Sequence, residues 1–322
     1  MRLPRLSFTL WFASLGVLIA AIALAATIAV PASMNELQAA AQQTSQGQPV
    51  KLYLTVRDKK GRPVTDLRQD EVRVIGRNRE QTIESLALAP REPIALGLLF
   101  DTSGSRRDVM PGAERTGALQ FIRGVIEKND LAFVLRFSDD VHMVVDFTED
   151  HAQLERGIQL ATATNPAGST ALFDAIEWSC RERLSKVTGR RILVIVSDGA
   201  DNASKKKLKE ALHLVHSTGT TVFFIFPGIE ATEFPRRFSA RTAIRITNEM
   251  SDQTGGVVLF VNTPRGFESA FQFLAEEVTH EYVLRFWPAD PVPGIGPDKI
   301  KVKTTRKGLT VRVRYSQSAS GN

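Results

Sequence analysis

Cysteine is almost missing from this chain: Cys180 is the only one in 322 residues. That excludes an intramolecular disulfide framework and any multi-cysteine metal site. Cys180 falls in helical register with Leu172, Ile176 and Leu184, so it reads as a core residue rather than a nucleophile. Histidine is also scarce. None of the five (His142, His151, His213, His216, His280) sits in a recognisable triad motif, which leaves no basis for a serine hydrolase. No nucleic-acid motif accompanies the net charge of +6. From Arg285 onward there are eight Lys or Arg against two Asp, and many of these cations alternate with Ile300, Val302, Val311 and Val313. That pattern is the solvated face of half-buried strands, and nucleic acid is not an expected partner.

What is present suits a globular body, because 43% of the residues are hydrophobic and the length allows one large or two smaller domains. Arg2 and Arg5 precede an uncharged stretch from Phe8 to Val30, longer than the roughly 20 residues needed to cross a bilayer. Charge at the amino end predicts that this end stays cytoplasmic and that everything after Pro31 lies outside. A cleaved signal peptide is the rival reading, with Ala39-Ala40-Ala41 as a small-residue cleavage pattern. Residues 1–33 are therefore expected to be a membrane anchor or signal peptide. The expected location is the cell envelope, or the exterior if the segment is removed. Residues 34–49, rich in Gln, Ala, Ser and Gly, read as a flexible linker.

Val50, Leu52, Leu54 and Val56 alternate with Lys51, Tyr53, Thr55 and Arg57, as in a half-buried strand. Val72 to Ile75 and Thr82 to Leu88 are further strand candidates, too few alone for a well-buried sheet. Tyr282 to Trp287, Lys299 to Thr304 and Leu309 to Tyr315 are matching candidates at the other end. The expectation is a β segment over 50–90 and another over 281–316, pairing as a discontinuous β-sandwich. Two separate β extensions are the alternative. Over 91–280 strand and helix signals alternate, which predicts a doubly wound, mostly parallel α/β sheet. Leu131 to Phe137 and Met143 to Phe147 are too close for a crossover helix and should pair antiparallel at an edge.

The chemistry gathers at strand ends. The apolar run Ile94 to Phe100 leads into Asp101-Thr102-Ser103-Gly104-Ser105, at the carboxyl end of a strand, where open α/β sheets bind ligands. Thr170 precedes a helix, and Asp198 follows the apolar strand Ile192 to Val196. Asp101, Ser103, Ser105, Thr170 and Asp198 offer only oxygen, the ligand set of a hard cation: Mg²⁺ for preference, with Mn²⁺ or Ca²⁺ as alternatives. Taken singly, Ser103 and Thr170 would each pass as a helix N-cap.

In order and spacing these residues resemble the metal-ion-dependent adhesion site of von Willebrand factor type A (vWA) domains. The resemblance runs from about Pro93 to Val278, and the β segments on either side are similar to those of VWFA-related proteins of the acidobacterial type. It implies that Ser103, Ser105 and Thr170 are direct ligands, with Asp101 and Asp198 acting largely through water. The ion would then keep much of its positive charge and accept a Glu or Asp from a partner protein. Binding rather than catalysis is implied, as an adhesion or scaffolding module. Arg106 and Arg107 follow Ser105, where members of the family often carry a smaller or apolar residue. Together with Lys205, Lys206 and Lys207 they could draw an acidic partner; otherwise the lysines are simply a solvated helix start. The alternative from another class is a metal-dependent phosphatase of haloacid-dehalogenase type, which Ser197-Asp198-Gly199-Ala200-Asp201-Asn202 resembles. That family places a second Asp two positions after its nucleophile, and here Ser103 stands there.

Overall fold

The computed structural model describes residues 49–106, 110–228, 238–288 and 300–315. The expected anchor or signal segment, nearly all of the linker, and Arg107 lie outside the described residues. Among those described, no helix is long and apolar enough to cross a membrane.

The central sheet grows from strand β4 (Ile94–Asp101), whose eight residues are all buried. Its alternate residues serve two different cores. Ile94, Leu96, Leu98 and Phe100 face one, while Ala95 and Leu99 face the other. Gly97 lies between them, where a Cβ would come within 2.4 Å of the Phe133 ring and 2.6 Å of Leu193. Around β4 lie β5 (Leu131–Phe137), β6 (Val141–Thr148), β7 (Arg190–Val196), β8 (Thr221–Pro227) and β9 (Val258–Val261), in the spatial order β6-β5-β4-β7-β8-β9. All pairs are parallel except β5 with β6, which is antiparallel at the edge. The fold is thus a doubly wound, mostly parallel α/β sheet.

Helices cover both faces. Helices α1 (Pro111–Val125), α2 (His151–Thr162) and α6 (Pro264–Thr279) cover one, through Phe121, Ile122, Leu154, Ile158, Phe267 and Phe271. Helices α3 (Leu172–Glu182), α4 (Leu208–Thr218) and α5 (Phe238–Thr254) cover the other, where Ile176, Cys180, Val215 and Met250 are buried. Burial in that apolar layer pushes the Cys180 thiol up to about 12, so it is a packing residue without nucleophilic character at neutral pH. Helices α2 and α5 were not expected from the sequence pattern.

Strands from the two ends of the chain pair with each other. β1 (Val50–Arg57), β2 (Val72–Gly76), β3 (Arg79–Leu88), β10 (Tyr282–Trp287), β11 (Ile300–Thr304) and β12 (Thr310–Tyr315) form a six-stranded antiparallel sheet in the order β11-β2-β3-β10-β1-β12. β3 pairs with β2 through Arg79–Gln81 and with β10 through Thr82–Leu88. Both halves of the sheet feed one core of Leu52, Leu54, Val56, Val72, Val74, Leu284 and Phe286. The whole α/β body therefore enters between β3 and β10, two hydrogen-bonded neighbours.

Charge joins the two layers. Buried Glu277, at the end of α6, accepts from Thr55 Oγ1 at 2.8 Å and pairs with Arg57 and, at 3.0 Å, with Arg312. Arg57 also pairs with Glu276 at 2.8 Å and stacks over the Phe273 ring at 3.7 Å. A second set joins Arg190 to Glu281 and Glu281 to Arg314, each at 2.8 Å. Burial pulls the Arg190 guanidinium down to about 10, with Glu281 opposing that shift. It remains a cation at neutral pH.

Candidate metal site

Asp101 ends β4 and is only 4% exposed. Both its carboxylate oxygens are engaged: Oδ1 accepts the Ser103 N–H at 2.9 Å, and Oδ2 accepts the Ser197 hydroxyl at 2.6 Å. Ser197 follows β7 and in turn accepts the Gly199 N–H at 3.1 Å. Because β4 and β7 are adjacent parallel strands, their carboxyl-end loops are bound together through this one carboxylate. Burial pushes the Asp101 pKa up. Hydrogen bonds from Ser103 and Ser197 and the charge of Arg106 pull the other way.

The turn after Asp101 presents hydroxyls. Ser103 and Ser105 Oγ are hydrogen-bonded to each other at 3.1 Å, the first buried at 1% exposure and the second exposed. Neither Ser103 nor Thr170 caps an α-helix, although Ser103 precedes the short 3-10 turn Gly104–Arg106 and its carbonyl accepts the Arg106 N–H at 3.0 Å. α1 begins after Met110 and α3 after Ala171, and no side chain caps either of them. The two hydroxyls thus cap neither α-helix.

Thr170, 2% exposed, sits in a loop held from three sides. The β4 loop contacts it through Ala167 N–H to Thr102 O (2.9 Å) and Gly104 N–H to Gly168 O (3.0 Å). The turn between β5 and β6 contacts it through Ser169 N–H to Asp139 Oδ1 (2.8 Å) and Ala171 N–H to Ser138 O (2.7 Å). The β7 loop contacts it through Thr170 N–H to Asn202 Oδ1 (2.7 Å), while Asn202 and Ala203 N–H both donate to Thr170 O at 3.0 Å. Gly168 makes this approach possible. Its φ is +79°, and an added Cβ would lie 2.0 Å from Asp139 Oδ2. Gly168→Ala is accordingly expected to destabilise the chain by about 1–3 kcal/mol, which thermal denaturation would register; an unchanged melting point would show that the loop is not so constrained.

Asp198, half-buried, follows Ser197 directly and accepts the Ala200 N–H at 3.0 Å. The structure therefore brings Asp101, Ser103, Ser105 and the β7 loop carrying Asp198 together at one end of the sheet, with the Thr170 loop stitched to both strand loops. The donor chemistry fits a hard cation: every side chain offers oxygen. The 3.1 Å between the serine hydroxyls is close to the ~3 Å edge of an oxygen octahedron around Mg²⁺. Among the described residues no cluster of three or more His, Cys, Asp and Glu could hold a metal, so hydroxyls are essential to this candidate.

Four supporting residues of the site escaped sequence reasoning: Ser197, Asn202, Asp139 and Glu114. Ser197 and Asn202 share a loop with Asp198 but carry no pattern that marks them, and Asp139 reads as an ordinary turn residue. Arg106 and Glu114 form a buried ion pair at 2.7 Å, and Arg106 Nε donates to Asp101 O at 3.3 Å. Burial raises the Glu114 pKa, with the Arg106 charge opposing it. Arg106 is 4% exposed, so it is not a surface charge for drawing a partner, as the sequence suggested; it braces the site from inside.

Residues 96–200 match the family model of the von Willebrand factor type A domain. No curated protein matches the chain in sequence. Among solved structures, a vWA protein from Catenulispora acidiphila is similar at 10% identity and TM-score 0.49, covering 86% of this chain and 76% of that one. The vWF domain of the type V pilus tip protein Mfa5 from Porphyromonas gingivalis is 11% identical at TM-score 0.47, covering 59% of this chain and 96% of its own. The conserved hypothetical protein BatB from Bacteroides thetaiotaomicron is 15% identical at TM-score 0.44, covering 57% and 98%. The segment from Leu96 to Ala200, which carries Asp101, Ser103, Ser105, Thr170 and Asp198, belongs to the von Willebrand factor type A domain family.

Proposed function

We propose that this chain is a metal-dependent protein-binding module of the cell envelope, serving adhesion or scaffolding, which takes a Glu or Asp of a partner protein at the site on β4. Ser103, Ser105 and Thr170 would hold the ion directly, with Asp101 and Asp198 behind them; Mg²⁺ is the preferred ion, with Mn²⁺ or Ca²⁺ as alternatives. When bound, the ion supplies an electrophilic position that an incoming carboxylate can fill. The observation that carries this reading is the pair of serine hydroxyls 3.1 Å apart beside buried Asp101. Hydroxyl ligands leave the ion's charge uncancelled, which favours an anionic partner.

The phosphatase reading is weaker on this geometry. Each oxygen of Asp101 accepts a hydrogen bond, from Ser103 and Ser197, which lowers its nucleophilicity. Ser103 also cannot serve as the general acid that such a phosphatase places at that position. The envelope setting rests on the apolar stretch Phe8 to Val30, which would tether the folded part outside the cytoplasm or direct its secretion.

A fluorescent Gly/Ser peptide bearing one Glu provides the test. Binding to the chain is expected in Mn²⁺, lost in EDTA, and weakened roughly tenfold or more when the Glu is replaced by Gln. Equal binding of the Glu and Gln peptides, or binding indifferent to EDTA, would contradict the proposal.

A further inference from the structure

A basic segment is fastened beside the candidate metal site. Residues 201–206 lie against the start of α3 along their length. Asn202 and Ala203 bind Thr170 as described above. Ser204 Oγ donates to Asp201 Oδ1 and accepts the Asp174 N–H at 3.1 Å. Both oxygens of Asp174 are then taken by backbone: Lys205 N–H at 2.9 Å and Lys206 N–H at 2.8 Å. Asp201 Oδ1 also accepts the Phe173 N–H at 3.2 Å. Asp174 and Asp201 are thus spent on holding the loop.

The lysine side chains take no part in those bonds. Lys205 and Lys207 are exposed, and Lys206 pairs with Glu210 at 3.5 Å. Among the described residues no carboxylate forms an ion pair with Lys205 or Lys207. Lys207 stands at the N-cap position of α4, where the helix dipole disfavours a cation. Glu210 Oε2 accepts the Lys207 N–H at 2.9 Å, a bond to backbone that leaves the Lys207 ammonium out of it. Lys205 is three residues past Asn202, which touches Thr170, so its backbone is within about 10 Å of chain from the Thr170 loop. Arg106 contributes nothing to this surface, because it is buried against Glu114.

We propose that Lys205 and Lys207 form a basic rim on the mouth of the metal site, and that the partner is an acidic protein segment rather than one with a lone carboxylate. One Glu or Asp would fill the position on the ion, and further Asp or Glu about three residues away in an extended segment would reach the rim. The inference deepens the proposed function and rests on it. The rim supplies selection among acidic partners, since a segment with several carboxylates gains more from it than a lone one.

The test compares two fluorescent peptides on the full chain in Mn²⁺ at low salt. One carries a single Glu in a Gly/Ser background; the other carries the same Glu with further acidic residues three and four positions away. The acidic peptide is expected to bind the parent about tenfold more tightly. That ratio should fall close to one in the Lys205→Gln/Lys207→Gln variant. It should also collapse in the parent at about 0.5 M salt, where rim charges are screened; this arm does not depend on a variant that folds. An undiminished ratio in the variant, or equal binding of both peptides by the parent, would overturn the rim while leaving the metal site in place. Absence of any Mn²⁺-dependent binding would overturn the metal reading, and the rim with it.

Discussion

Glu277→Ala is expected to lower stability by about 3 kcal/mol, the cost of removing the buried carboxylate on which two arginines and a hydroxyl converge. Glu277 is 2% exposed and answers to Arg57, Arg312 and Thr55. Removing it strips Arg312 of its pair and leaves Arg57 with Glu276 and the Gly61 and Phe273 carbonyls. For a folded body of this size the shift corresponds to roughly 6 to 12 °C in melting temperature. Glu155→Ala is the control, since its pair with Arg123 lies at the surface with side chains 26% and 59% exposed, and it should cost under about 1 kcal/mol. Calorimetric or circular-dichroism melting would measure both. Equal shifts for the two variants would mean that the charges between α6 and the antiparallel sheet do not couple them.

Asp101→Asn is expected to weaken divalent-ion binding by at least about a hundredfold while leaving the fold intact. The amide keeps the shape of the carboxylate, and its oxygen can still accept the Ser103 N–H. The other side would turn an NH₂ towards Ser197 Oγ, which has a lone pair to receive it. What is lost is the charge. A unit charge about 5 Å from a dication contributes ~6 kcal/mol at an effective dielectric of 20, and half of that is about a hundredfold in affinity. Metal-dependent shifts in melting temperature would report the loss; a variant that kept the parent's shift would assign Asp101 a purely architectural role.

The parts of the fold that were legible are those whose burial is written in large apolar side chains. β4 is one case, since Ile94 to Phe100 reads as a strand covered on both faces and is buried throughout. The antiparallel edge was readable from the short turn Ser138-Asp139-Asp140 between β5 and β6. Helices α2 and α5 were not, for different reasons. Along α2 the buried face includes Gly157 and Thr162, while Leu160 points out at 65% exposure and blurs the period. α5 buries Ala243, Thr247, Met250 and Ser251, a face too small and polar to register as an apolar stripe.

The site divides in the same way. Asp101, Ser103 and Ser105 are close in sequence, so their grouping could be read directly; Thr170 and Asp198 could be placed at other loops of the same sheet edge. The supporting residues act across distance. Asp139 receives the Ser169 N–H from 30 positions away and Asn202 the Thr170 N–H from 32. Glu114 reads in sequence as a favourable acidic residue in the first turn of α1, and only the tertiary fold shows it facing Arg106.

The most direct test is a calorimetric titration of Mn²⁺ into the parent chain and into Ser103→Ala. This substitution removes the hydroxyl but keeps the backbone N–H that binds Asp101, so the loop retains its anchor. The account predicts binding of one ion by the parent and weakening by roughly tenfold or more in the variant, as expected for loss of one of three hydroxyl ligands. Equal affinity in the two proteins would show that the carboxylates alone hold the ion, and no binding by the parent would show that this end of the sheet is not a metal site.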